Sequence, residues 1–183
     1  MKNLLFGFVV LVSAGLCLVG CSNDDSDNDD GICDDGYAVS VNFLLQDESG
    51  TEKYTFKEGE NIIFRLDVIN HDTVDVVLPS LVEIFNHDDI FHVYGSNGKD
   101  YGNPWDELWL PAINHVIIGA NATKSYLCPW INNPESEIPW NPQFLDYRIN
   151  TPRSLPKGNY YSKFNIILDN NRVVTCQKTF KIE

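Results

Sequence analysis

Apolar and polar residues alternate along most of this chain beyond residue 36, most clearly in Gly59–Ser80, GENIIFRLDVINHDTVDVVLPS. Ile62, Phe64, Leu66 and Val68 fall on one face and Asn61, Arg65 and Asp67 on the other. After Asn70–Thr73 the alternation resumes with Val74, Val76 and Leu78. A period of two belongs to half-buried antiparallel strands. The stretch is therefore expected to form a core hairpin, two strands around a polar turn, with a second layer over its apolar face. Tyr37, Val39, Val41, Phe43 and Leu45 repeat the pattern, with Ser40, Asn42 and Gln46 outward, before a turn at Asp47–Thr51. Tyr54–Phe56 suits a short strand, and Leu81–Asp89 has room for one helical turn. Ile90–Tyr94 reads as a strand with Phe91 and Val93 inward, followed by the hairpin dipeptide Asn97-Gly98. His115–Ile118 and Thr123–Trp130 flank a turn at Gly119–Asn121. Tyr160–Leu168 and Arg172–Ile182 form a hairpin across Asp169–Asn171, where Asn tolerates positive φ.

Two stretches break the alternation. Tyr101–Asn114 is rich in Trp and carries Pro104 and Pro111, which suits a long loop. Pro129–Pro156 holds six of the nine prolines and is expected as an ordered excursion packed by Trp130, Ile138, Trp140, Phe144 and Tyr147. Around them, about seven to nine short strands with no convincing helix predict an all-β chain. The fold expected is an immunoglobulin-like antiparallel β-sandwich with a long Pro/Trp-rich insertion. Leu155-Pro156-Lys157-Gly158-Asn159-Tyr160 adds the look of a tyrosine corner, whose hydroxyl bonds nearby backbone.

Several of these pieces occur in the order seen in another family. They are Gly59-Glu60 opening a strand that ends in Asn70, the Val-x-Val-x-Leu-Pro-Ser run that follows, and Phe91-His92-Val93-Tyr94 leading into Asn97-Gly98-Lys99. Ile118-Gly119-Ala120-Asn121 before a strand ending in Trp130, and Pro156-Lys157-Gly158-Asn159-Tyr160, complete the set. Together, over Val41 to Leu168, they resemble the intracellular proteinase inhibitor (BsuPI-like) domains. The resemblance implies the immunoglobulin-like fold and, as one function, proteinase inhibition. An inhibitor needs a protruding, fixed loop, for which Trp130–Leu155 is the natural candidate. The chain departs from that family in its 129–156 excursion and in carrying an export signal.

Charge and the N-terminus change the picture next. Met1–Gly20 has a basic start at Lys2, an apolar run from Leu4 to Val19 and a small-residue end, the build of a secretory signal too short for a membrane span. Leu18-Val19-Gly20-Cys21 looks like the lipobox of bacterial lipoproteins, which implies cleavage before Cys21 and lipid on its thiol. Ser22–Asp30 has no apolar residue, so residues 21–35 are expected as an acidic disordered tether to a single domain at 36–183. An acidic run after a lipidated Cys resembles surface-export signals of some Gram-negative lineages. That implies an outer-membrane protein on the cell surface, with a periplasm-facing one as the alternative. The whole chain carries a formal charge of −13, and from Gly36 onward 19 acids face 12 bases. No basic stripe is present, which argues against nucleic acid as a partner and against electrostatic attraction to anionic lipid. The expected membrane contact is the lipid on Cys21.

Candidate chemistry is sparse. Cys33, Cys128 and Cys176 allow one disulfide between two of them, with connectivity open, or buried reduced thiols instead. Parity points Cys128 and Cys176 inward, while a Cys33–Cys176 staple would tie the tether to the domain. His87-Asp88-Asp89 and His92 match no zinc or calcium spacing, so neither a metal nor a cofactor is expected. No nucleophile or phosphate-binding motif occurs, and a glycan-processing carboxylate pair is the least favoured function. Trp105, Trp109 and Trp140, with Tyr101 and Tyr147, lie in or beside the two excursions. There they are candidates for stacking on a glycan or holding protein side chains, against the alternative of small cores under long loops. Asp72-Thr73-Val74 resembles an O-glycosylation acceptor of exported proteins in some Gram-negative anaerobes. The function expected is non-catalytic binding of protein or glycan by a cell-envelope lipoprotein.

Overall fold

The computed structural model describes residues 37–85, 90–105, 107–109, 115–135, 138, 141–148, 153–168 and 171–183. These residues fold as an all-β sandwich. One sheet has the order β1 (Val39–Gln46), β3 (Ile62–Asn70), β9 (Thr123–Trp130), antiparallel throughout. The other has five strands in the order β2 (Thr55–Phe56), β12 (Val173–Ile182), β11 (Gly158–Ile167), β5 (Val93–Gly95), β6 (Asp100–Gly102). In it β2 runs parallel to the end of β12. Two ribbons complete the fold: β4 (Val76–Leu78) with β8 (Val116–Ile118), and β7 (Glu107–Trp109) with β10 (Asp146–Arg148).

The core between the sheets is a cluster of rings. Phe43 meets Phe164 edge-on with centroids 4.8 Å apart, and Phe64 stacks near Phe91 at 5.5 Å and meets Phe180 edge-on at 6.4 Å. Such pairs add specific geometry to the area they bury. Each ring comes from a position that the alternation assigns inward. β12 alternates cleanly, and its inward set also includes Lys178, which is 6% exposed. Only the two-residue β2 flanks β12 on that side, so the lysine stem covers apolar surface while Nζ lies 5.5 Å from the Tyr54 ring centre. An inward charge of this kind also discourages stray strands from pairing with the edge.

Gly59–Ser80 is not a hairpin. β3 pairs with β1 and β9, whereas β4 leaves to pair with β8, and β8 and β9 do not pair with each other. The two crossings run side by side around one corner, which Asn70 holds. Its side-chain amide donates to the carbonyls of Val74 (2.8 Å), Ile118 (3.1 Å) and Gly119 (2.9 Å), and its oxygen accepts from the Asp72 N–H at 2.9 Å. Alternation records which face is buried, and hairpin and crossing bury the same residues, so periodicity did not separate them. The polar side of β3 is also not solvated as expected. Asp67 is buried and satisfied by Arg65 Nε at 2.8 Å and Ser125 Oγ at 2.5 Å, and Asn61 is buried too.

Local expectations fared better. The helical turn is α1 (Leu81–Ile84), whose Ser80 and Glu83 form a reciprocal capping box. Asn97-Gly98 closes β5–β6, with Gly98 at φ 81. Phe91 and Val93 point inward, although Phe91 sits in a turn at φ 61 and the strand begins only at Val93. The Tyr160 hydroxyl donates to the Pro156 carbonyl, as a tyrosine corner requires. The stretch expected as a loop after Tyr101 instead contributes β6 and β7. Among the described residues no helix is long and apolar enough to cross a membrane.

Candidate functional site

The two excursions, separate in sequence, meet in space. β7 comes from the first and β10 from the second, paired in the register Glu107↔Arg148, Leu108↔Tyr147, Trp109↔Asp146. The second excursion also runs beside the edge of β9. The Leu127 N–H donates to the Gln143 carbonyl and the Leu145 N–H to the Leu127 carbonyl, each at 2.9 Å. Leu145 is buried there. An otherwise open edge of the three-stranded sheet is thereby covered.

Both feet of the second excursion are tied to the sandwich. Asn132, buried, donates to the Glu60 carbonyl at 2.6 Å and accepts from the Leu155 N–H at 2.8 Å, so one side chain spans the loop entrance. The Asn133 N–H donates to Asn61 Oδ1 at 2.9 Å, and Asn61 donates to Glu48 at 2.6 Å. Trp130 is buried against Phe64 and donates from Nε1 to the Arg153 carbonyl at 2.6 Å. Polar residues on the β3 turn thus serve as anchors for the loop.

The aromatic candidates divide. Trp105 is 6% exposed and packs edge-on against Phe91 with centroids 6.2 Å apart, so it belongs to the core and leaves the binding set. A loop that long needs an apolar anchor, and Trp105 supplies it. Tyr101 is half-buried, with Tyr160 edge-on at 5.3 Å and Lys99 Nζ 4.5 Å from its ring centre. Trp109 and Tyr147 occupy the β7–β10 ribbon, on opposite strands. Trp140 lies outside the described residues.

Other positions resolve simply. Cys128 is a fully buried free thiol, so it is not bridged to Cys176, which is buried as well; burial pushes the Cys128 thiol well above its ordinary range. Cys21 and Cys33 lie outside the described residues, as do His87, Asp88 and Asp89. His92 bonds Asp100 at 2.6 Å, and among the described residues no three His, Cys, Asp or Glu side chains gather as metal ligands. Thr73 is exposed in the corner turn, its N–H bonded to Asp72 Oδ1 at 2.7 Å.

Two surface features went unpredicted. Val77 and Ile117 face each other across the β4–β8 ribbon, 58% and 61% exposed. His92, Tyr94 and Tyr161 stack in a row at 4.5 and 5.2 Å on the five-stranded sheet. Their parity, opposite to that of Phe91 and Val93, was the available signal for the row.

No family model matches the chain, and no curated protein matches it. A solved structure, the X-ray structure of Northeast Structural Genomics Consortium target SoR45, is similar at 12% identity over 78% of this chain and 84% of its own. Its TM-score is 0.32, a likeness too loose to carry a fold or a function.

Proposed function

We propose that the chain is a cell-envelope lipoprotein whose immunoglobulin-like domain is a non-catalytic binding module for protein or glycan. Lipid on Cys21 anchors it to the outer membrane, with the domain facing the medium. The working surface is the β7–β10 ribbon and the loops around it. One observation carries this reading: two excursions far apart in sequence are paired with each other, and the second is tied down at its feet. Loops held on a rigid scaffold are where binding residues concentrate, and fixing them beforehand lowers the ordering cost on binding. Trp109, Trp140 and Tyr147 supply the aromatic contact on this reading. A glycan array and a capture experiment with wild type, Trp109→Ala, Trp140→Ala and Tyr147→Ala test it; equal binding by all four proteins removes the aromatic surface. Cys21→Ala is expected to move the protein from the membrane to the soluble fraction.

The fixed feet favour a second reading, proteinase inhibition, which the BsuPI-like resemblance suggests. Asn132 ties the two ends of the 132–155 stretch together, and a loop that is hard to reshape is slow to be cleaved. Titrating a panel of proteases with the protein tests this reading. No loss of activity at equimolar protein sinks it for those proteases.

A further inference from the structure

We propose that Arg153 is the positioning residue that couples the two excursions, a role that takes its functional meaning from the binding reading above. Its main-chain carbonyl accepts the Trp130 indole bond at 2.6 Å, which seats residue 153 against the end of β9. Its guanidinium crosses to the first excursion and donates from Nη1 to the Asn103 carbonyl at 2.9 Å. The neighbouring Gly102 has φ +81, and a Cβ built there would lie 2.9 Å from the same Nη1. Gly102 therefore meets two needs, a left-handed turn and room for the guanidinium. Two residues past Asn103, Trp105 enters the core against Phe91, and β7 begins two residues later. On the other side, Asn132 holds the Leu155 N–H, two residues past Arg153. Hydrogen bonds thus tie Asn132 to Leu155 and Arg153 to Asn103, with Arg153 two residues before Leu155 and Asn103 four before β7. A guanidinium suits this place because it is more weakly hydrated than an ammonium and keeps several donors in a fixed plane.

Hydrogen exchange on the whole protein, read by mass spectrometry, tests the coupling without any ligand. Arg153→Ala is expected to speed exchange in peptides covering 101–109 by about tenfold, a local opening that leaves β11 and β12 unchanged. Arg153→Lys restores part of the protection. Gly102→Ala also speeds exchange in 101–109, and it adds to Arg153→Ala there, because a Cβ strains the left-handed turn whether or not the guanidinium is present. Asn132→Ala speeds exchange in 101–109 when Arg153 is present and has no further effect in the Arg153→Ala background. Unchanged exchange at 101–109 in Arg153→Ala overturns the coupling. A rise spread equally over β11 and β12 also overturns it, since Arg153 would then serve stability alone. If wild type binds nothing on the arrays, the binding reading fails while the exchange result stands, so the two fail separately.

Discussion

Asn70→Ala attacks the corner where the chain changes pairing partners. Asn70 is 1% exposed and reaches four main-chain groups there, its two amide hydrogens shared among three carbonyls and its oxygen accepting one N–H. The bond to the Ile118 carbonyl is buried, and an unmet buried acceptor costs about 1–3 kcal/mol. The other three are part-buried, where water replaces the lost partner and each costs about 0.5 kcal/mol. Together the loss is roughly 2.5–4.5 kcal/mol, a fall in Tm of about 5–18 °C for a domain of this size. Urea unfolding followed by Trp fluorescence measures it, with the slope m expected to match wild type because the surface exposed on unfolding is the same. Asn70→Asp sharpens the test. It keeps the acceptor for Asp72, removes the donors and turns a carboxylate toward three carbonyls, so at neutral pH it should cost at least as much as alanine. A loss below about 0.5 kcal/mol for Asn70→Ala at unchanged m would refute the claim that this side chain holds the corner.

Four further outcomes are expected. Tyr160→Phe removes the bond to the Pro156 carbonyl and should cost about 1 kcal/mol; equal stability would make the tyrosine corner incidental. Asp100 is held below its ordinary range first by the bond with His92 and then by the Gly102 N–H. A depressed folded value means stabilisation that is present above the unfolded value, near 3.8, and is lost as pH falls through the lower folded value. Asp100→Asn should therefore lower stability at pH 7 by a small amount, small because the carboxylate is exposed, and flatten the acid limb by the same amount; superimposable acid limbs would count against it. Cys128, buried with its thiol pushed up, should resist a maleimide in the native protein and react once urea unfolds it; rapid native labelling would contradict the burial. The Asp72-Thr73-Val74 motif predicts a saccharide on the exposed Thr73, so intact mass from the native host should fall in Thr73→Ala, and equal masses after allowing for the substitution would remove it.

The sequence by itself determined what is local. The alternation in β1, β3 and β12 named the core residues, because a strand turns every second side chain to one face whatever its partner. Asn97-Gly98 marked its hairpin, and the Pro156–Tyr160 run marked the tyrosine corner. Ser80-x-x-Glu83 held a capping signal that alternation alone passes over, since it marks where a helix starts rather than patterning a face. Tertiary structure decided what is shared between distant residues. Strands of similar pattern are interchangeable as partners until packing selects among them. β3 could therefore be read as the mate of β4 when it pairs with β1 and β9. Asn61 and Asp67 looked solvated because parity cannot see Asn133 or Ser125 arriving from about 60 to 70 positions away. Trp105 looked like a loop aromatic until Phe91 was found beneath it. The joining of residues 107–109 to residues 146–148 left no local trace, since the three-residue strands involved become stable only when the rest of the sandwich brings them together.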